Sequence, residues 1–215
     1  MSGWPSFPDE LPAFDPDDAP DDPHELFLSW LTDAGEHLLA PHAPVLSTVD
    51  ADGAPDARVV VLRDVVAAGF RFATGADSPK GVQLAGEPRA ALTFFWPGRG
   101  RQVRVRGSVA PCSAEASAVD FRERSPASRA EVLVGHQSEP LADRAQLTDR
   151  AQLTAAAHAA AGRVREDPER VPPAWTRYEL TPHTIEFWQA SHDRRHARLR
   201  YRRDGDDWVR ELLWP

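Results

Sequence analysis

The stretch Ile185–Pro215, I-E-F-W-Q-A-S-H-D-R-R-H-A-R-L-R-Y-R-R-D-G-D-D-W-V-R-E-L-L-W-P, decides the reading of this chain. Two β-patterned runs, Thr184–Gln189 and Leu199–Arg203, flank a turn holding Arg194, His196 and Arg198 at spacing two. A period-two backbone sends alternate side chains to one face, so an extended segment would aim all three cations the same way. Taken alone, R-x-H-x-R is ordinarily a solvated basic strand, because charged side chains stay exposed. Here Trp188 and Trp208 enclose the cations, and a terminal Trp214-Pro215 suggests an anchored end rather than a frayed one. Asp204-Gly205 closes the last hairpin.

Working outward, the remaining chain reads as a β series with helices at intervals. His24–Leu39 has apolar residues at Phe27, Trp30, Leu31, Ala34 and Leu38, which is helical spacing. Val45–Val49 and Arg58–Leu62 are strand-like and separated by Asp52-Gly53, a hairpin signal. Phe70–Thr74, Ala90–Trp96 and Gln102–Val109 continue the series. Helical patterning returns at Ala114–Arg124 and from Leu141 to about Val164, where D-R-A-Q-L-T is repeated at Asp143–Thr148 and Asp149–Thr154. The repeat lengthens a surface helix, and no repeat architecture follows from two such units. Closely spaced antiparallel strands of this kind predict a barrel or sandwich rather than a parallel α/β sheet.

With 215 residues the chain is most simply one domain, spanning 23–215 and including a C-terminal segment 172–215. The net charge is −8, but residues 1–22 carry seven acids and five prolines with no base, and removing those acids leaves −1 for the body. The composition of 1–22 predicts a mobile, solubilising tail, with Trp4, Phe7 and Phe14 as the residues able to dock it. No basic excess points to nucleic acid. No apolar run approaches the ~20 residues of a membrane span, and no charged n-region precedes an apolar stretch. The expectation is a cytoplasmic protein with no membrane or nucleic-acid partner. Cys112 is the only cysteine, which excludes an intrachain disulfide. His42, His136, His158, His183 and His192 lack ligand spacing, so no metal is expected.

Five further segments stand out for their chemistry. Arg58-Val59-Val60-Val61-Leu62-Arg63 sets guanidinium groups at both ends of an apolar run. Their odd separation puts them on opposite faces unless a bulge or twisted rim intervenes. Ala73-Thr74-Gly75-Ala76-Asp77-Ser78-Pro79-Lys80 offers hydroxyls, amides at a helix start and a lysine, the donors a phosphate dianion needs. Arg101-Gln102-Val103-Arg104-Val105-Arg106-Gly107 contains Gln102, whose amide supplies a donor and an acceptor. Arg124-Ser125-Pro126-Ala127-Ser128 and Gln137-Ser138 complete the series of motifs.

In this order and spacing, the motifs resemble the pyridoxine (pyridoxamine) 5′-phosphate oxidase family over Asp21–Pro215, although the family's R-L-H-D-R turn here reads Arg194-Arg195-His196-Ala197-Arg198. The resemblance implies an antiparallel FMN-binding split β-barrel with peripheral helices, and a homodimer with FMN at its interface. It implies FMN contacts from Arg58, Val59, Val60, Val61, Leu62, Arg63, Ala73, Thr74, Ser78, Lys80, Gln102, Gln137, Ser138, Trp188 and Arg198. It places Arg63, Asp120, Arg124 and Ser128 at the substrate phosphate, and Arg194 and His196 over its pyridine ring as the catalytic pair. The implied reaction is oxidation of pyridoxamine or pyridoxine 5′-phosphate to pyridoxal 5′-phosphate, with dioxygen as acceptor and hydrogen peroxide as by-product. Departures are Arg63 for Lys, Pro79 for Arg, Asp120 for Tyr, and Arg195 and Ala197 in the turn. Two alternatives stay open: recruitment to another flavin-dependent oxidation, as in phenazine-type metabolism, which Asp120 favours, and a flavin-binding protein without turnover.

Overall fold

The computed structural model describes residues 5–135, 137–139 and 150–215. Trp4, His136 and the first copy of the D-R-A-Q-L-T repeat lie outside the described residues. Helix α1 (Pro23–His37) starts where Asp22 accepts the His24 backbone N–H and Pro23 occupies the first turn. Strands β1 (Val45–Val49) and β2 (Pro55–Val59) form the expected hairpin, with Val49 opposite Pro55 and Gly53 at φ 83°. Then come β3 (Leu62–Val66), β4 (Gly69–Gly75), α2 (Pro79–Gly86), β5 (Arg89–Trp96) and β6 (Arg101–Pro111). Helices α3 (Ala114–Glu123), α4 (Pro126–Val134) and α5 (Arg150–Glu166) precede β7 (Trp175–Gln189), β8 (Ala197–Asp204) and β9 (Asp207–Leu212). The nine strands run β2-β1-β5-β6-β7-β4-β3 in one sheet, with β8 paired to both β7 and β9.

By its internal contacts the chain divides into two compact units: 1–72 with 83–110 and 179–215, and 73–82 with 111–178. The first has an aromatic core. Phe27 of α1 meets Phe70 and Phe94 edge-on at 4.9 Å, and Trp30 meets Phe187, which in turn meets Tyr201. Burying Phe27, Phe70, Phe94 and Phe187 fully is worth about 1.5–3 kcal/mol each. Arg99 and Arg101 both pair with Asp33 of α1, and Arg101 lies over Trp30 at 4.3 Å. Burial lowers the Arg101 pKa to about 10, far enough above neutrality to leave it charged. In the second unit Ala130 of α4 packs with Ala160 and Val164 of α5.

Three segments add to the sequence reading. Within the acidic segment, Phe14 packs edge-on to Trp30 at 5.0 Å, Ala19 is buried, and Tyr201 donates its hydroxyl to the Pro20 carbonyl. Its few apolar residues are spaced to reach the body, which outweighs the charge. The run Arg58–Leu62 is not one strand: β2 ends at Val59, β3 begins at Leu62, and the β3–β4 register shifts between Leu62 and Asp64. The bulge that the odd Arg58–Arg63 spacing required therefore falls at Arg63. The third is R-S-P-A-S, which also carries the N-cap of α4, with Ser125 accepting the Ser128 N–H.

Candidate active site

The clearest convergence is in the second unit. Thr74, Ser78 and Lys80 are all buried. Lys80 Nζ donates to Ser78 Oγ and to Gln137 Oε1, both at 3.1 Å, so two candidates 57 positions apart in sequence meet. Ser78 Oγ donates to the Gly75 carbonyl at 2.7 Å as α2 begins. A buried lysine beside a hydroxyl at a helix start is a donor set that fits a phosphate. Ser138 sits beside Gln137 in the left-handed region at φ 68°, and Ala73 is half-buried in β4.

The same unit holds the phosphate-binding candidates Arg124 and Ser128 at the α3–α4 junction. Arg124 caps α3 through its N–H to Phe121 O at 3.2 Å, and its guanidinium lies over Trp175 at 4.6 Å. Asp120, expected at a substrate phosphate, is 1% exposed and accepts the Trp175 indole N–H at 3.0 Å. Its carboxylate faces an internal donor instead of solvent.

In the first unit Arg58 donates to Thr48 Oγ1, Asp56 and Gln83 Oε1. Gln83 is a partner that no motif singled out. Val59, Val61 and Arg63 are exposed, Val60 and Leu62 are buried, and Gln102 is half-buried on β6. Trp188 and Arg198 face each other across β7 and β8, and the Trp188 ring lies 4.9 Å from that of His196. Residues Ser191–His196 form a turn, not an extended strand, so simple alternation does not aim the cations. Arg194 sits at φ 63°, exposed at the turn, with its N–H on Ser191 O. His196 Nδ1 accepts the Ser191 N–H at 3.0 Å. Arg198 donates to Glu186 at 2.8 Å, and Arg104 binds the other oxygen of the same carboxylate. Burial pushes the Glu186 carboxyl up, but the bonds and charges of Arg104 and Arg198 hold it below its ordinary value. Glu186 was missed as an anchor although E-F-W-Q contains it. The only signal was an acid within a basic β-patterned run.

Together, a mainly antiparallel β fold, a buried phosphate-type loop and a cation turn beside tryptophan define a split-barrel flavoprotein class. A PhzG from Burkholderia lata, solved with tetrahydrophenazine-1-carboxylic acid, superposes with TM-score 0.86 at 32% identity, covering 95% of this chain and 99% of that one. A pyridoxamine 5′-phosphate oxidase-related FMN binding protein from Nostoc punctiforme shares the fold at TM-score 0.73 and 20% identity, over 90% and 98% of the two chains. Residues 31–158 match the family described as pyridoxamine 5′-phosphate oxidase, and 175–215 match the pyridoxine 5′-phosphate oxidase C-terminal dimerisation region. The chain is 41% identical over 200 residues to a pyridoxine/pyridoxamine 5′-phosphate oxidase of Pseudomonas paraeruginosa, covering 92% of this chain and 90% of the relative. It is 44% identical over 199 residues to one from Thermosynechococcus vestitus, covering 92% and 91%. The chain belongs to the pyridoxamine 5′-phosphate oxidase family. Among the described residues, no helix is long and apolar enough to cross a membrane.

Proposed function

We propose that this protein is an FMN-dependent oxidase that converts pyridoxamine or pyridoxine 5′-phosphate to pyridoxal 5′-phosphate. Dioxygen is the acceptor and hydrogen peroxide the by-product. The observation that carries the reading is the buried Lys80 meeting Ser78 and Gln137, together with curated oxidases about 40% identical over most of the chain. When bound, FMN supplies the two-electron redox chemistry, and this chain supplies position and charge. Thr74, Ser78, Lys80 and Arg58 hold its phosphate, while Gln102, Gln137, Ser138, Trp188 and Arg198 position its ring. Arg63, Arg124 and Ser128 hold the substrate phosphate. Arg194 covers the pyridine ring, and His196, with Nδ1 committed to Ser191, offers Nε2–H to the ring's polar group.

The protein acts as a homodimer. The matched C-terminal dimerisation region and the exposed Val45, Val59 and Phe95 on the β2-β1-β5 edge support this. A second reading, oxidation of a phenazine-type precursor, is favoured by the PhzG likeness and by an acid at position 120. The test is anaerobic addition of pyridoxamine 5′-phosphate to the FMN-loaded protein. Bleaching of the flavin absorbance supports the oxidase. Bleaching only by a reduced phenazine precursor supports the second reading, and a flavin that neither reduces indicates a binding protein.

A further inference from the structure

We propose that Trp175, held by Asp120, is the platform that orients Arg124 toward the anionic end of the substrate. Both are then positioning residues for a group that neither touches. The inference rests on the reading that Arg124 meets a phosphate. The backbone at Arg124 is already fixed, because its N–H closes α3 on Phe121 O and Ser125 caps α4. Beyond the backbone, the side chain is long and rotamer-rich. Stacking restricts it: the guanidinium lies 4.6 Å from the Trp175 ring centre. A stacked guanidinium presents its in-plane N–H edge, the geometry that grips a phosphate through two bonds.

The ring is in turn prevented from rotating. Trp175 is 7% exposed, packs against Phe121 at 5.6 Å and 64°, and donates its indole N–H to Asp120 Oδ2 at 3.0 Å. Asp120 is itself 1% exposed on α3, so its carboxylate serves the indole from inside the fold and does not face an incoming anion. A charge-assisted bond to an N–H is about twice as strong as a neutral one. That explains a carboxylate at a position beside an anion site.

The experiment uses the full FMN-loaded chain. It measures kcat and KM with pyridoxamine 5′-phosphate and with unphosphorylated pyridoxamine, and the Kd of pyridoxal 5′-phosphate. Trp175→Leu and Asp120→Ala should raise KM and Kd for the phosphorylated compounds about tenfold, the scale of a desolvated cation–π contact. The same variants should leave kcat and the pyridoxamine KM within about twofold. Trp175→Phe, which keeps a ring but loses the N–H anchor, should give a rise of about threefold. It carries the test if thermal melting shows that Trp175→Leu does not fold. If Arg124→Ala raises KM while Asp120→Ala and the Trp175 variants do not, the inference is overturned and the phosphate reading stands. If Arg124→Ala has no effect, or the unmutated chain binds no pyridoxal 5′-phosphate, that reading falls and this inference falls with it.

Discussion

Through the bond from the Ser191 backbone to its Nδ1, His196 is fixed as the tautomer that carries its proton on Nε2. The same turn exposes Arg194 at positive φ, a conformation that costs a non-glycine residue about 1 kcal/mol. Both features suit groups that address a ligand rather than the core. His196→Ala and Arg194→Ala should therefore retain FMN yet lose about 10²-fold in kcat, the scale of a lost positioning group. Flavin fluorescence and steady-state oxygen uptake separate the two effects, and a variant that loses flavin together with rate would contradict the assignment. Arg198→Ala should do the opposite. It leaves the buried Glu186 with Arg104 as its remaining guanidinium partner, and the measured FMN Kd should rise about tenfold or more. The residues that meet at Lys80 could be picked out because Thr74, Ser78, Lys80 and Gln137 stand in recognisable order. The service of Asp120 to Trp175 could not, since the two lie 55 positions apart and no pattern ties an acid to a distant indole.

Among the elements, β7 has the least tolerance. A Cβ on Gly107 of β6 would lie 1.9 Å from the Thr181 carbonyl oxygen, and one on Gly69 of β4 would lie 2.1 Å from that of Leu180. The obstacle is backbone, which cannot swing aside. Gly107→Ala should cost about 2–4 kcal/mol in urea unfolding, and an unchanged midpoint would refute the close approach. Glu186 gives β7 a pH signature. Its folded pKa is depressed below 4.5, so its contribution is present above that value and fades as pH falls through the lower folded value. Glu186→Gln should flatten the loss of melting temperature between about pH 5 and pH 3, relative to the unmutated chain. Strand and helix periods located most elements, including β1 at its observed bounds of Val45–Val49. Where the period broke, the reading stopped. The two-residue gap after Val59 hides inside an unbroken valine run, and α4 follows so closely on α3 that its start was not seen as a separate helix.

On the scale of the molecule, cofactor and assembly are one equilibrium if the flavin draws on two chains. Dilution of the yellow protein should then release FMN and dissociate subunits over the same concentration range. Light scattering alongside flavin fluorescence checks this, and a monomer with full flavin would show that one chain suffices. The fold class was legible from strand spacing and order, whereas the division into two units was not. Composition does not change at 72–73 or 178–179, and those boundaries fall within β4 and β7.

The docking of residues 14–20 has a consequence for how the chain is made. Their partners include Tyr201, which receives Pro20, and Arg210, which binds the Ala19 carbonyl. Synthesis runs from the amino end, so this segment waits until Tyr201 and Arg210 have been made. Seven acids in the first 22 residues keep that waiting segment hydrated and self-repelling. Its closure onto β8 and β9 cannot precede the synthesis of those strands.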